Sequence, residues 1–375
     1  MKVLMTADAR SVHTKRWAAS LKASGVDVAV YSLYPASDTF FEEHDIRLYV
    51  FNLFTYKSNK GLKAALGAVV MHWRAVSDLK TVLRVESPDI LHAHYATSFG
   101  LVAALTGFHP FIISVWGSDV YEFPYLSPVN MKAVKFIMDK ADRVLSTSFA
   151  MAVHTSAFTD KMIDITPFGV DTALFRKIDD CSLYADRQFV IGNVKTLAPK
   201  YGIDVLIKAF KILRERNRTL SLKLVIVGDG PCRNDYVSLV EELGLSDEVE
   251  FVGRVPNNEL PRYYNSFSVA VSLSRSESFG VVAVEAMACG CPVVVSDTDG
   301  FKEVVMDRVT GFVVPVDEPE IAAVAVQKFI DDPTLRERMG NEGIRHVKEM
   351  YSWDECVSKM ISIYSDVRKS KGKNS

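Results

Sequence analysis

Two glutamates, Glu277 and Glu285, flank a glycine at the expected start of a helix. The apolar run 269–273 predicts a buried strand before them, and the Ala- and Val-rich run that ends at Gly290 predicts a helix of about ten residues. The backbone amides of residues 279–281 and the helix dipole would together favour a phosphate group. A carboxylate accepts two hydrogen bonds and so suits vicinal hydroxyls. Spacing alone equally allows Glu277 to be a capping residue and Glu285 to be an exposed helix residue.

Two lysines supply a second feature suited to phosphate. Lys195 and Lys200 follow the predicted strand 189–194 and precede Gly202 and a predicted helix. At about 4 Å and an effective dielectric constant of roughly 20, each charge pair with a diphosphate is worth about 4 kcal/mol before desolvation. Because a departing diphosphate gains negative charge in the transition state, such cations would lower the reaction barrier. The alternative is that both are solvated surface lysines.

Polar side chains also follow two predicted strands of the N-terminal half. His94 ends the apolar segment 88–94, and Asp119 follows the strand 109–115. In open α/β sheets, ligands bind outside the carboxyl ends of the strands, which favours a functional role for His94 over a structural one. Asp119 is equally suited to contact a substrate that accepts a transferred group and to cap a helix or turn.

The first predicted strand is followed by a loop, residues 7–13, that contains no glycine. The dinucleotide-binding fingerprint is therefore absent. Arg10 and His13 in this loop can hydrogen-bond an acceptor or a donor phosphate, and the alternative is a solvated loop.

Strand and helix patterns alternate along the whole chain. A strand, a helix and a strand within residues 2–32 form a βαβ unit, which implies a parallel sheet with a right-handed crossover. Further strands are predicted at 46–51, 88–94, 109–115, 141–146, 162–166, 189–194, 222–227, 249–253, 269–273, 292–296 and 311–314. Further helices are predicted at 62–85, 149–158, 205–215, 318–330, 334–350 and 353–368, and one starts at Leu260. Residues 172–188 are charged and poor in large apolar side chains, so they are interpreted as a linker.

Composition limits the class of protein. The 375 residues suffice for two domains, and 48% hydrophobic with 24% charged residues is ordinary for a globular protein. A net charge of −2 argues against nucleic acid as a partner. The five cysteines form no disulfide framework or zinc motif, which favours a reducing cytoplasmic compartment. We find neither a signal peptide pattern nor an apolar run of the ~20 residues that span a bilayer.

The segment from Glu277 to Ser296 resembles the signature of the family 4 retaining glycosyltransferases, which have the GT-B fold. It comprises Glu277-Ser-Phe-Gly, four further residues, Glu285, and Ala286-Met-Ala-Cys-Gly-Cys-Pro-Val-Val-Val-Ser296. The resemblance implies that Glu277 contacts the donor sugar and that Glu285 binds the ribose hydroxyls. It also implies that the diphosphate and sugar are held by the backbone of Ser278, Phe279, Gly280 and Val281.

Other segments resemble the same family. Lys195 and Lys200 stand where the family has Arg, four residues, Lys and Gly, with Tyr201 as one extra residue before the glycine. The resemblance places both lysines on the diphosphate. Gly228, at a strand exit, lets the backbone approach a ligand closely. Arg254 belongs to a segment that edges the nucleobase pocket in the family.

The resemblance is weaker in the N-terminal half. Pro88-Asp-Ile-Leu-His-Ala-His94 is similar to a family segment whose second histidine faces the donor sugar. The family has His-Gly-x-Asp where this chain has Trp116-Gly-Ser-Asp119, so Asp119 is retained and the histidine is replaced. Pro167-Phe-Gly-Val-Asp171 looks like the family's Pro-Asn-Gly-Val-Asp. Asp297-Thr-Asp299 matches the metal-binding pattern of a different glycosyltransferase fold, and its position after the glutamate motif argues against that role.

The expected architecture is therefore α/β: a GT-B fold of two Rossmann-like domains that face each other across a cleft. Residues 1–177 are expected to form the acceptor domain and residues 178–355 the nucleotide-sugar donor domain. Residues 356–375 are expected to form a helix that crosses back to the N-terminal domain, and a tail.

The expected reaction is retaining transfer of a hexose-type sugar from a nucleotide-sugar to a glycan or lipid-linked acceptor in cell-surface polysaccharide or glycoconjugate synthesis. No residue specifies the base, and UDP is the expected nucleotide. The catalytic set is Glu277, His94, Lys195, Lys200 and Asp119. Neither a cofactor nor a metal ion is expected, because lysines and helix amides can neutralise the leaving group. The alternatives are a nucleotide-sugar epimerase of the GT-B fold and an inactive nucleotide-binding partner subunit.

A basic surface on the helix 62–85 offers a possible peripheral contact with the inner face of the membrane. It consists of Lys57, Lys60, Lys63, Arg74, Lys80 and Arg84. Such a charge run suits anionic lipid, and hence a lipid-linked acceptor. The alternative is a solvated helix face.

Overall fold

A computed structural model describes residues 1–53, 62–179, 181, 183–185 and 188–372; the side chains of residues 62–69 and 371–372 are not described. The chain divides into two compact units. The first unit is Met1–Thr166 with Val357–Ser375, and the second unit is Pro167–Cys356. The sequence set the corresponding boundaries at 177/178 and 355/356.

The first unit contains seven strands and seven helices ahead of the C-terminal helix, among the residues described. Its strands are β1 (Lys2–Thr6), β2 (Asp27–Ser32), β3 (Arg47–Val50), β4 (Ile90–His94), β5 (Phe111–Val115), β6 (Arg143–Ser146) and β7 (Ile163–Ile165). Its helices are α1 (Val12–Ala23), α2 (Phe40–Glu43), α3 (Leu62–Glu86), α4 (Ser98–Thr106), α5 (Ser118–Tyr121), α6 (Pro128–Lys140) and α7 (Phe149–Thr155).

The sheet of the first unit is wholly parallel, with the order β3-β2-β1-β4-β5-β6-β7. Every residue of β4 and β5 is buried, as expected for strands covered by helices on both faces. Leu4 pairs with Ala29 on one side and Leu91 on the other, which places β1 in the interior of the sheet, next to the central strand β4. The predicted parallel sheet is thus confirmed.

Helix α6 was missing from the sequence prediction, although its start carries a clear local signal. Ser127 is the N-cap, and its hydroxyl accepts a hydrogen bond from the amide of Asn130. Pro128 occupies the first helical position, where a missing amide hydrogen has no cost. The Ser-Pro pair therefore marked a helix start that the apolar periodicity alone did not reveal.

The second unit contains six strands and seven helices before the C-terminal helix, among the residues described. Its strands are β8 (Phe189–Val194), β9 (Leu222–Val227), β10 (Val249–Gly253), β11 (Val269–Ser272), β12 (Val293–Ser296) and β13 (Gly311–Val314). Its helices are α8 (Ile203–Arg216), α9 (Arg233–Glu242), α10 (Leu260–Ser266), α11 (Val281–Ala288), α12 (Asp299–Val304), α13 (Pro319–Asp331) and α14 (Pro333–Met350). The last helix, α15 (Trp353–Gly372), begins in the second unit and continues in the first.

The second sheet is also parallel throughout, in the order β10-β9-β8-β11-β12-β13. Consecutive β8 and β9 pair with each other, and β11 pairs with the other side of β8. The order in which strands are added to the sheet therefore reverses at β8. The loops that follow β8, β9 and β11 consequently meet at the carboxyl ends of these neighbouring strands. Such a switch point is where open α/β sheets bind ligands.

Candidate active site

In the second unit, the predicted site residues come from loops at the carboxyl ends of neighbouring strands. Lys195 follows β8, Gly228 follows β9, and Glu277 lies in the loop after β11. The amide of Lys195 donates to the carbonyl of Val227 at 2.9 Å, which extends the strand pairing to the sheet edge. Parallel pairing thus brings residues distant in sequence to one place.

Gly228 makes this close approach possible. Its φ is +134°, and a Cβ atom at this position would lie 2.0 Å from the carbonyl oxygen of Lys195. No side chain fits in that space, so the backbone of β9 can pass directly behind Lys195 only because residue 228 is a glycine.

Lys195 and Glu277 form an ion pair. The Nζ of Lys195 lies 2.5 Å from Oε2 of Glu277, and the side chains are only 12% and 11% exposed. The Lys195 ammonium also lies 4.7 Å from the centre of the Tyr201 ring. The Lys200 ammonium lies 5.2 Å from the same centre, so the ring of Tyr201 contacts both cations.

Tyr201 was visible in the sequence only as an extra residue before Gly202. The structure places it in a 3-10 turn, Pro199–Tyr201, just before α8. Its aromatic ring lies against both lysines that the sequence assigned to the diphosphate. Sequence reasoning missed this role because the ring contact depends on the turn geometry.

The loop that carries Glu277 is fixed at several points. The guanidinium of Arg275 binds Asp204 at 2.8 Å and Asp317 at 2.7 Å. The amide of Arg275 donates to the carbonyl of Lys200 at 2.8 Å, and the amide of Gly300 donates to the carbonyl of Glu277 at 3.2 Å. The loop is therefore tied to its neighbours on both sides of Glu277.

Helix α11 begins after Gly280, which adopts a left-handed conformation with φ of +93°. Among the described residues, the amides of Phe279, Gly280 and Val281 donate no hydrogen bond. These are the donors that a helix N-terminus leaves for an anion, as the sequence predicted. The helix itself is Val281–Ala288, slightly shorter than expected, and Gly290 follows it with φ of +75°.

Glu285 is buried rather than exposed. Its Oε2 accepts a hydrogen bond of 2.9 Å from the hydroxyl of Tyr264 in α10. Burial, and then the nearby Glu285 carboxylate, raise the pKa of Tyr264 well above its ordinary value. The phenol therefore remains a donor and orients the carboxylate. Tyr264 is a second residue that sequence reasoning did not identify.

A cavity of about 410 Å³ unites much of this set. Its walls include Lys195, Tyr201, Gly228, Arg254, Val281 and Glu285. It thus combines a cation, a buried carboxylate and glycine backbone, which are groups suited to a phosphorylated, hydroxyl-bearing ligand.

In the first unit, His94 lies at the end of β4 and is buried. Its ring centre is 4.4 Å from that of His92 and 4.7 Å from that of Trp116. Its Nδ1 atom is buried without a hydrogen-bond partner among the described residues. Burial, assisted by the charge of His13, lowers the pKa of His94 to about 3, so the ring is neutral at pH 7.

The first loop and Trp116 form a single aromatic cluster with His94. The ring of His13 meets Trp116 edge-on, with centres 5.9 Å apart. Burial lowers the pKa of His13 to about 4. Arg10 binds the carboxylate of Asp8 at 2.7 Å and lies 4.3 Å from the centre of the Tyr34 ring. Trp116, which replaces the family histidine, therefore contacts the rings of both His94 and His13.

Asp119 is fully buried and its carboxylate binds backbone amides. It accepts hydrogen bonds from Ala96 at 2.8 Å, Gly117 at 2.7 Å and Trp116 at 3.1 Å. Burial raises its pKa to about 6. Of the two roles that the sequence allowed, this geometry favours the cap: Asp119 fixes the turn between β5 and α5.

Two further expectations concern contact with a membrane. Lys57 and Lys60 lie outside the described residues, as does the side chain of Lys63, whereas Arg74, Lys80 and Arg84 are exposed on α3. None of the helices in the described part of the chain is long and apolar enough to span a bilayer.

The Asp-x-Asp pattern is engaged by a lysine. Lys302 Nζ lies 2.7 Å from Asp297 and 3.7 Å from Asp299. In the part of the chain that the structure describes, no three His, Cys, Asp or Glu side chains are grouped so as to hold a metal ion.

Two family profiles match the chain, one for each half. Glycosyl transferases group 1 matches residues 176–346. Glycosyl transferase 4-like matches residues 2–148.

Among similar proteins, an uncharacterized glycosyltransferase of Methanocaldococcus jannaschii is 25% identical over 336 residues, which cover 86% of this chain and 91% of that protein. D-inositol 3-phosphate glycosyltransferase of Thermobifida fusca is 37% identical over 184 residues, which cover 47% of this chain and 41% of that protein. The second alignment thus spans less than half of either protein.

Solved structures share the arrangement over nearly the whole chain. Sucrose-phosphate synthase from Thermosynechococcus elongatus has a TM-score of 0.82 at 22% identity, covering 99% of this chain and all of that one. Anabaena HepE in complex with UDP has a TM-score of 0.81 at 20% identity, covering 98% of this chain and all of that one. At these identities the likeness shows the fold.

Proposed function

Because the chain belongs to the family 4 type of glycosyltransferases and has the GT-B fold, we propose that it moves a hexose-type sugar from a nucleotide-sugar to a glycan or lipid-linked acceptor. The product would belong to cell-surface polysaccharide or glycoconjugate synthesis. The observation that carries the proposal is the Lys195–Glu277 ion pair beside a cavity that Glu285 also lines.

Each part of the donor has a matching group in the second unit. Lys195 and Lys200 suit the diphosphate because they offer positive charge. The amides that begin α11 suit it because they donate no hydrogen bond among the described residues. Glu285 suits the ribose hydroxyls, and the Tyr264 phenol fixes its orientation. We propose that Arg254, which lines the same cavity, contacts the edge of the nucleobase.

The proposed reaction retains the anomeric configuration, with substitution on one face of the sugar through an oxocarbenium-like transition state. Negative charge grows on the leaving diphosphate as the glycosidic bond breaks. Lys195, Lys200 and the amides of Phe279 and Gly280 would stabilise that charge more strongly in the transition state than in the ground state. This is why we propose that the reaction needs no metal ion. Glu277 would bind the sugar hydroxyls.

UDP is the proposed nucleotide because the structure of HepE, which is similar over almost the entire chain, contains UDP. The acceptor is not carried over from the inositol phosphate glycosyltransferases, since that alignment leaves more than half of each chain uncovered. We propose His94 as a residue near the sugar.

A cytoplasmic location, with peripheral contact to the inner face of the membrane, is proposed from α3. Its exposed surface carries Trp73, which is 60% exposed, beside the cations Arg74, Lys80 and Arg84. An exposed tryptophan on the same helix as exposed cations suits the interface of an anionic bilayer. Sedimentation with anionic liposomes at physiological salt is the test, and failure to sediment would remove this part of the proposal.

The donor site is tested by thermal unfolding with UDP, GDP and ADP. A ligand at about 100 times its dissociation constant adds about 2.7 kcal/mol of stability, which shifts the midpoint visibly. A shift with UDP alone supports the proposal, a shift with another nucleotide alone corrects the base, and no shift contradicts the donor site.

The reaction is tested with Glu277→Gln. We expect this variant to lose sugar transfer and to retain nucleotide binding, because the neutral amide cannot replace the carboxylate. Intact transfer would contradict the sugar role of Glu277. The wild-type protein also separates the alternatives: an epimerase would convert the nucleotide-sugar without releasing nucleotide, and an inactive subunit would bind nucleotide without any turnover.

A further inference from the structure

A second cavity lies in the second unit, at the amino ends of the strands, whereas the candidate donor site lies at their carboxyl ends. Its volume is about 520 Å³. It is lined by Val190 near the start of β8, by Ser268 just before β11 and by Pro292 just before β12. The donor cavity is lined instead by residues at the strand ends, such as Val194 and Val227. In a parallel sheet all the amino ends of the strands lie on one side and all the carboxyl ends on the other, so the two cavities are separate.

In the part of the chain that the structure describes, two cations line this second cavity, Arg336 and Lys177. The Arg336 side chain is half-buried at the first turn of α14, and its guanidinium carbon lies 5.5 Å from the centre of the Phe189 ring. Among the described residues, neither Arg336 nor Lys177 forms an ion pair or a side-chain hydrogen bond. Burial lowers the pKa of Arg336, which reflects the cost of an uncompensated charge. Among the described residues that line the cavity there is one carboxylate, that of the exposed Glu337.

The guanidinium N–H groups of Arg336, which donate no hydrogen bond to the described residues, are suited to bind an oxyanion. A guanidinium presents a planar fork that matches phosphate oxygens in a bidentate geometry, and a lysine adds a second charge. The polar groups share the cavity with apolar walls from Val190, Phe267 and Pro333. A volume of this size is typical of small-molecule sites. Cations together with apolar walls suit a ligand that has both an anionic group and an organic body.

We propose that this cavity binds a small phosphate ester, with Arg336 on the phosphate group, Lys177 as the second cation and the apolar walls against the organic part. None of these residues lines the donor cavity. Binding here therefore does not depend on the assignment of the donor site.

Calorimetric titration of the full chain with glucose 6-phosphate and with inorganic phosphate tests the proposal. We expect glucose 6-phosphate to bind more tightly than phosphate, since the walls contact its organic part. Arg336→Gln should weaken binding at least about tenfold, and Arg336→Lys less. The matched control is Arg338→Gln, because Arg338 carries the same charge on the same helix but does not line the cavity. This variant should bind like the wild type.

Lys195→Gln separates the second cavity from the donor site. This variant should bind glucose 6-phosphate like the wild type. If Lys195→Gln loses binding and Arg336→Gln retains it, the probe binds in the donor cavity and the proposal is overturned. Equal effects of Arg336→Gln and Arg338→Gln, equal affinity for the two probes, or no binding at about 10 mM would also overturn it.

Arg336→Gln should unfold at the wild-type temperature or above it, because it removes a half-buried charge that forms no ion pair with the residues that the structure describes. Lys177→Gln, at an exposed position, should weaken binding in the same direction and provides a second variant.

Discussion

The ammonium of Lys195 lies 2.5 Å from a carboxylate oxygen of Glu277, and both side chains are almost completely removed from solvent. The two residues are 82 positions apart in the chain. The cation expected to bind the diphosphate and the carboxylate expected to bind the sugar therefore hold each other in place. A donor that binds here would meet charges that are already positioned, which is the condition for electrostatic stabilisation of a transition state.

This pair yields the first prediction. Lys195→Gln should lower the free energy of unfolding by about 3 kcal/mol, because it leaves the Glu277 carboxylate buried without its counter-charge. The double variant with Glu277→Gln should lose less than the sum of the two single variants. Urea denaturation measures all three. Lys211→Gln is the control, since its partner Glu215 is exposed, and we expect a change within about 0.5 kcal/mol. Additive losses would show that the ion pair is energetically unimportant.

Gly228 supports the second prediction. Gly228→Ala should cost about 2–4 kcal/mol of stability, because its Cβ would lie 2.0 Å from the Lys195 carbonyl and φ is +134°. Gly244 also has a positive φ, of +67°, but nothing lies within 4 Å of a Cβ there. Gly244→Ala should therefore cost only about 1 kcal/mol. Equal midpoints for the two variants in urea would contradict the close packing of β9 behind Lys195.

The buried histidines predict how stability depends on pH. Burial lowers the pKa of His94 to about 3, from about 6.5 in the unfolded chain. Below that unfolded value the unfolded state binds more protons, so the contribution of His94 is complete above pH 6.5 and is lost as the pH falls toward 3. The loss is about 1.4 kcal/mol per pH unit. His92, whose pKa burial also lowers, acts in the same direction.

Urea midpoints measured between about pH 4 and 6 test this expectation. His94→Asn should reduce the slope of stability against pH by about one proton. His44→Gln, at an exposed ring, serves as the control. If His94→Asn has the wild-type slope, the ring must be protonated in the folded protein.

The fourth prediction concerns His92 and Tyr364. The hydroxyl of Tyr364 lies 2.7 Å from Nδ1 of His92, and Ser114 lies 2.8 Å from Nε2, all within the core of the first unit. Tyr364→Phe should cost about 1–3 kcal/mol, because it leaves a buried ring nitrogen without a partner. Tyr125→Phe, at a residue whose side chain is largely exposed, should cost less than about 0.5 kcal/mol. Unchanged stability in Tyr364→Phe would mean that the hydrogen bond contributes nothing net.

Local signals in the sequence predicted much of the fold. Strand β9 (Leu222–Val227) and strand β10 (Val249–Gly253) have the predicted bounds, because each is an apolar run between turn residues. The motif that resembles the family signature predicted helix α11, with Glu277 in the loop before the helix and Glu285 on the helix. That Glu285 is buried against Tyr264 was not visible, because α10 and α11 meet only in the folded unit.

Contacts across the sheet explain what sequence reasoning missed. The Lys195–Glu277 pair depends on β8 and β11 being neighbours, and strand order is not encoded by any local pattern. The three amides that bind Asp119 come from two different loops, so its role could not be separated from that of an acceptor ligand. Tyr201 likewise acquires its role only when a turn places its ring beside both lysines.

The bond between His92 and Tyr364 also has a consequence for biosynthesis. These residues are 272 positions apart, and the entire second unit is translated between them. A ribosome releases the N-terminal end first, so His92 emerges long before its partner. The first unit cannot complete its core during translation of its own strands. It must wait as a partly assembled nascent chain until α15 leaves the exit tunnel, whereas residues 167–356 form one uninterrupted stretch that can fold as soon as it emerges.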